Sequence, residues 1–376
     1  MDVTVCSNSR YRKEIALKFA FMAQTAYQLM NMIKFVYNNT EQSRGDSIIF
    51  ISNKVSSKLE NQSILTESGL FKQVIIFCEK QYKEDKIIGK LDTVLNVINR
   101  ESFGKLIIDR SEYREVEIVV IPSVSLESQI FWQYIVHRKI YLIEDGLGSI
   151  TGNILLDGMR SNRRLLTKLL YGSFVLDKMY VNNRSFNNSE ANTEFEEIPG
   201  TYDKDICALF KKIFLPSQYV RTYKDSDIVY LQQPIKLWNF DYIKLEKSII
   251  QKCVERYNER FIIRCHPLTV MDSKIENVRY DMQNYAWETV CIDQITDNSV
   301  LMGVFSTAQF SPKQLFNREP HVIFMHKIIK PTNISQEKIE NMIEVLLSNY
   351  SSTNKIHIPN SQDELLNVLE SITHVQ

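Results

Sequence analysis

The sequence lacks an excess of charge of either sign. Lys plus Arg number 45 and Asp plus Glu number 45, a formal net charge of zero, so no global basic field points to a nucleic-acid partner. It also lacks cysteines at knuckle or redox spacing. Cys6, Cys78, Cys207, Cys253, Cys265 and Cys291 are scattered, with no CxxC. They read as free thiols in a reducing compartment, mostly core fillers, and no metal site is visible. No stretch approaches the ~18 to 20 apolar residues a membrane span needs. The opening segment MDVTVCSNSRYRKE is polar and without the apolar centre of a signal peptide. These absences point to a cytoplasmic protein whose residues 1 to about 12 form a short leader outside the core.

What is present is length and a repeated alternation. At 376 residues the chain is too long for one ordinary core and comfortable for two domains. The 18 Tyr and 19 Phe suit large packed sheets or a sugar-binding cleft. Apolar runs that read as buried strands are Ile15–Met22, Ser47–Ile51, Gln73–Phe77, Val116–Ile121 and Lys139–Ile143, then Ile228–Leu231, Phe261–Arg264, Val300–Phe305 and His321–Phe324. Such continuous runs are what strands covered on both faces look like. Helical patterns lie between them at Ala26–Tyr37, Lys86–Asn99, Glu127–His137, Asp241–Tyr257 and Gln336–Asn349, the first opening on Thr25 as N-cap. The alternation predicts an α/β protein with parallel sheets. A polar stretch around residues 182–192 divides it into domains 1–190 and 191–376, with a helix Asp205–Phe214 as bridge. The last helix, Glu364–Ile372, is a candidate to cross back to the first domain.

Three segments sit at strand ends, where such sheets place ligands. The first is Glu144-Asp145-Gly146-Leu147-Gly148, in which a strand runs into two carboxylates and a glycine-softened turn. A carboxylate there is placed to act as a general base on a hydroxyl; the same residues also read as a plain acidic turn. The second is His266-Pro267 after Phe261–Arg264. Proline holds the preceding residue extended and pins the imidazole at a cleft edge. His321, on a strand, reads as a core residue. The third is Gly303-Val304-Phe305-Ser306-Thr307, where hydroxyls and free N–H groups at a helix start suit a phosphate; a simple N-cap is the alternative. Asp241, after the aromatic-flanked loop that includes Pro234 and Trp238, is a rival for the base or a cap of its helix. The basic stretch Arg160–Leu170 reads either as a surface facing anionic lipid or as a helix with a solvated basic face.

The order of these motifs resembles that of the bacterial sialyltransferases, which share an acidic D/E-D/E-G, an H-P and a later S/T pair. They stand here as Glu144-Asp145-Gly146, His266-Pro267 and Ser306-Thr307. The segment Thr25-Ala26-Tyr27-Gln28-Leu29 is similar to the T-x-Y-Q-L start of glycosyltransferase family 52, whose members act on lipooligosaccharides and capsules. Family members often carry proline where this chain has Ala26. The resemblance implies a GT-B fold of two Rossmann-like domains, the first facing the acceptor and the second binding the donor. It implies inverting transfer from CMP-sialic acid to a terminal sugar hydroxyl, a galactoside first among them, on an oligosaccharide or glycolipid. No metal or other cofactor is implied. Asp145 is the expected base and His266 the partner of the departing CMP phosphate. Pro267, Gly303, Ser306 and Thr307 line the donor side, and Thr25, Tyr27, Gln28, Glu144 and Gly146 the acceptor side. The resemblance is compatible with a homodimer and with peripheral contact at the inner membrane face. A transferase using another nucleotide sugar, or a non-catalytic nucleotide-sugar-binding protein of capsule assembly, stays open beside it.

Overall fold

The structure, a computed structural model, describes residues 17–39, 45–77, 116–122, 128, 131–132, 135, 137–146, 176–186, 195–233, 240–266, 275, 277–283, 285–331 and 335–373. The leader at residues 1–12, the expected helix 86–99 and the basic stretch 160–170 lie outside these residues, as do Pro234 and Pro267, and the expected helix 127–137 is described only in part.

Two parallel sheets carry the chain. The first holds β1 (Leu17–Ala23), β2 (Ser47–Ser52), β3 (Gln73–Phe77), β4 (Val116–Ile121), β5 (Lys139–Ile143), β6 (Lys178–Val181) and β7 (Phe195–Glu197), in the order β3-β2-β1-β4-β5-β6-β7. The second holds β8 (Ile228–Leu231), β9 (Phe261–Arg264), β10 (Arg279–Asp281), β11 (Val300–Gly303), β12 (His321–Phe324) and β13 (Ile356–His357), in the order β10-β9-β8-β11-β12-β13. Both orders run outward from the first strand, back past it and outward again, the doubly wound Rossmann arrangement.

The reason for the continuous apolar runs is visible in β1 and β2. Phe19, Phe21, Ile49 and Ile51 enter one core, while Ala20, Met22, Ile48 and Phe50 enter the core on the opposite face. Successive side chains point to opposite faces of a strand, so a sheet covered on both sides needs apolar residues at every position. Each fully buried Phe or Ile contributes about 1.5–3 kcal/mol relative to leaving it exposed. Four strands had no such signature. β6, β7, β10 and β13 are two to four residues long and contain Lys178, Glu196, Arg279 and His357. Three of them are sheet edges, where pairing on one side alone tolerates polar residues.

The helices are α1 (Ala26–Asn38), the single turns α2 (Asn53–Ser56) and α3 (Ile64–Glu67), α4 (Lys204–Phe214), α5 (Phe240–Tyr257), α6 (Trp287–Gln294), α7 (Ser311–Phe316), α8 (Gln336–Asn349) and α9 (Gln362–Thr373). Thr25 caps α1 in a capping box with Gln28. β7 belongs to the first sheet although it lies past residue 190, so that sheet extends beyond the expected domain boundary. The α4 helix is the bridge: Ile206, Phe210, Ile213 and Phe214 share a core with β1 and α1 and with Ala286 and Ile292 of the second domain. Lys211 pairs with Asp293 across the same junction at 2.6 Å. The last helix does not cross back. Leu365 and Leu369 of α9 are buried on the second sheet with Ile228 and Tyr230, and Glu370 pairs with Arg256 of α5. Among the described residues no helix is long and apolar enough to cross a membrane.

Candidate active site

Because every strand in both sheets is parallel, each sheet has one edge at which all its strands end. Residues that follow those ends line a single cleft of about 630 Å³ between the domains. Thr25 and Tyr27 follow β1, Asp145 and Gly146 follow β5, His266 follows β9, and Ser306 and Thr307 follow β11. The three motifs, which run from Glu144 to Thr307 in sequence, therefore bring residues to one space.

The two acidic residues after β5 have different fates. Glu144 is fully buried and does not line the cleft. Its carboxylate accepts from Tyr27 Oη, from the Asn182 backbone N–H at 2.7 Å and from Gln314 Nε2 of the second domain. Asn31 Nδ2 donates to its carbonyl at 2.9 Å, and Asn182 Nδ2 donates to Asn31 Oδ1 at 2.9 Å. Burial pushes the Glu144 carboxyl above its usual range, and the donated hydrogen bonds oppose that. The assignment of Glu144 to the acceptor surface is corrected: it is a buried bracket between the first domain and α7. Lys34 lies behind it, over the Tyr202 ring at 4.5 Å, with its pKa lowered to about 8 by burial.

Asp145 faces the cleft. Its surface is open there, yet protein surrounds it on most sides, and that withdrawal from bulk water raises its carboxyl to about 6. Gln28 Nε2 donates to Asp145 Oδ1, which lowers it in turn. The Gln28 oxygen accepts from the backbone N–H of Gln24 at 2.6 Å and of Thr25 at 3.1 Å. A buried glutamine thus ties the cap of α1 to the orientation of Asp145, and Gln28 acts from behind the cleft wall. Gly146 has φ +110°, a conformation that L side chains avoid, so the glycine is what lets the chain turn away directly after Asp145.

On the opposite wall His266 is half-buried, and burial, with the Lys58 ammonium second, holds its pKa below the ordinary value. Both effects favour the neutral imidazole. Two residues before it, Arg264 pairs with Asp281, to which Tyr223 also donates; its guanidinium lies 5.4 Å from the Trp287 ring centre. This cluster locks the ends of β9 and β10 to the start of α6. Ser306 caps a single 3₁₀ turn, Thr307–Gln309: Ala308 N–H donates to its Oγ at 3.3 Å, and Ser306 N–H donates to Gln309 Oε1 at 3.0 Å. The expected helix start is thus a three-residue turn, and α7 begins only at Ser311. Gly303 is buried beneath it and makes no part of the cleft surface. A Cβ at Gly303 would lie 3.1 Å from Gln309 Oε1.

Asp241 is the second residue of α5, which begins at Phe240, so it lies inside the first turn and not at the N-cap position; its side chain lies outside the described residues. His321 is half-buried rather than in the core, its Nδ1 3.3 Å from His357 Nε2. Sequence reasoning missed four charged cleft residues: Lys58 after β2, Arg264, Asp281 and Glu288. Arg264 had a signal, as the charged end of an apolar strand beside His266. Lys58 and Glu288 had none. Among the described residues no three His, Cys, Asp or Glu side chains gather as a metal site.

No family model and no curated protein matches the chain. Solved structures do. The UDP-GlcNAc 2-epimerase from Methanocaldococcus jannaschii superposes with TM-score 0.52 at 12% identity, over 95% of this chain and 92% of that one. Arabidopsis thaliana UGT89C1 complexed with UDP gives 0.52 at 9% identity, over 95% and 93%. The glycotransferase of kitacinnamycin gives 0.50 at 7% identity, over 95% and 91%. At such identities the likeness is one of fold, and the fold is GT-B: two Rossmann-like domains facing across a cleft.

Proposed function

We propose that the protein is a glycosyltransferase whose donor binds in this cleft, and that the donor is CMP-sialic acid. One observation carries the reading: a carboxylate from the first domain and an imidazole with two hydroxyl residues from the second line the same space. The motif order adds the donor identity. The solved structures of the same fold, a glycotransferase, a UGT89C1 complexed with UDP and a UDP-GlcNAc 2-epimerase, agree with a nucleotide-sugar ligand in general.

In this mechanism the acceptor hydroxyl enters from the first-domain side. Asp145 takes its proton as the oxygen attacks the anomeric carbon. The bond from that carbon to the phosphate oxygen breaks with its electron pair leaving on CMP, and attack from the opposite face inverts the centre. The transition state has oxocarbenium character, as in other glycosyl transfers. A carboxyl held near pH 6 is ionised in most molecules at pH 7 and still basic enough to accept the proton. His266 donates a hydrogen bond to the phosphate as its charge grows, and Ser306 and Thr307 offer hydroxyl donors beside it. Positioned proton transfer of this kind is worth roughly 10² to 10⁴ in rate. The acceptor is a terminal sugar, a galactoside first, on a bacterial surface glycan such as a capsule or lipooligosaccharide, reached from the cytoplasmic face.

The test is CMP release from CMP-sialic acid in EDTA, with and without a panel of galactosides and sialosides, beside the same assay with UDP-sugars. Acceptor-dependent CMP release is the expected result. Turnover of a UDP-sugar in its place would transfer the reading to another donor, and binding without turnover would make the protein a nucleotide-sugar-binding component of glycan assembly.

A further inference from the structure

The mechanism above uses neither of the two cations that line the cleft among the described residues, Lys58 and Arg264. Lys58 stands in the turn after β2 and α2, on the first domain, and lines the cleft with Asp145 and His266. Its ammonium is in no ion pair with a described residue, whereas Arg264, the other cation of the cleft wall, is committed to Asp281 and the Tyr285 carbonyl. The charge of Lys58 is felt across the cleft, at His266 and at Glu288 of α6. Burial raises the Glu288 carboxyl above its usual range, and the charges of Arg264 and Lys58 oppose that.

We infer that Lys58 is a specificity-determining residue that binds the carboxylate of the transferred sugar. The inference rests on the proposed donor. In CMP-sialic acid the carboxylate is attached to the anomeric carbon itself, one bond from the reacting centre. That carbon has to lie between Asp145 and the phosphate held by His266, Ser306 and Thr307. A carboxylate on it projects into the space these groups enclose, and Lys58 supplies the available positive charge there. A neutral sugar offers nothing for that charge to pair with, so the lysine favours an acidic sugar over a neutral one. The donor then bridges the domains: its phosphate is held by the second and its carboxylate by the first.

The experiment compares Lys58→Met with wild type for binding of CMP and of CMP-3-fluoro-sialic acid, an inert donor analogue, with no acceptor present. Loss of one charge-assisted contact should weaken the analogue about 10- to 100-fold and leave CMP within about two-fold. Lys58→Arg should recover most of the analogue affinity, and all three proteins should melt alike, because Lys58 is a half-buried turn residue. Equal weakening of CMP and the analogue would assign Lys58 to the phosphate and overturn the inference. So would unchanged affinity for both, which includes the case of a lysine that meets only the acceptor. Failure of the wild type to bind the analogue, with a UDP-sugar bound instead, would remove the donor assignment and the carboxylate role together. Loss in the variant alone can therefore be told from loss of the donor reading.

Discussion

The buried surroundings of Glu144 and the cleft in front of Asp145 begin one residue apart and differ in what they leave open. Both carboxyls are raised by withdrawal from water. Glu144 meets donors from Tyr27, Asn182 and Gln314 and has no exposed surface, so its lone pairs are spent within the protein. Asp145 is held by Gln28 on one oxygen and opens to the cleft. Chain direction causes the difference: neighbouring side chains leaving a strand point to opposite sides. One acidic dipeptide thus supplies a bracket that fixes α7 of the second domain and a carboxylate that faces the cleft.

The contrast can be broken by substitution. Asp145→Ala should lower kcat by about 10²- to 10⁴-fold while CMP affinity stays within about two-fold, measured by steady-state turnover and calorimetry. Glu144→Ala should act on the fold first. It leaves the buried donors of Tyr27, Asn182 and Gln314 unpaired, at a cost of about 3 kcal/mol in unfolding free energy, read from denaturant melts. If Glu144→Ala lowered kcat as much as Asp145→Ala with no loss of stability, the two roles would have to be exchanged. His266→Ala should lower kcat by about 10²-fold, and His266→Asn, which keeps a donor, should recover part of that.

Smaller effects sharpen the same comparison. Gly146→Ala places a side chain at φ +110° and should cost about 1–3 kcal/mol with a matching loss of activity, since the strained turn carries Asp145. The kcat profile should rise through about pH 6 as Asp145 ionises. Gln28→Leu removes the bond that lowers this carboxyl, so its limb should move to higher pH. Stability runs the other way. The folded value of about 6 lies above the ordinary aspartate value of 3.8, so this group's stabilising contribution is present below about pH 3.8 and is lost as the pH rises through about 6. The pH range that ionises the base is the range in which the fold gives up that contribution.

Much of the fold was legible because it rests on local patterns. β3, β4, β5, β8, β9, β12 and α8 lie at the residues read from apolar runs and helical spacing. Two-faced burial of a parallel sheet forces those runs on the chain. The cleft members Asp145, His266, Ser306 and Thr307 were legible because a parallel sheet delivers strand-end residues to one edge, and polar motifs at strand ends mark that edge. The short edge strands β7, β10 and β13 were not, since single-sided pairing needs no apolar pattern.

By itself, then, the sequence determined the two parallel sheets, the strand-end positions of the motifs and the absence of a long apolar helix among the described residues. The tertiary structure alone decided which carboxylate faces solvent, that Gln28 and Gly303 lie beneath the surface, and that Lys58 and Glu288 join the cleft. Those outcomes depend on contacts between residues more than a hundred positions apart, such as Gln28 with Asp145 and Glu144 with Gln314. Periodicity records which way a side chain leaves its own strand or helix; what waits there is set by how the two domains pack.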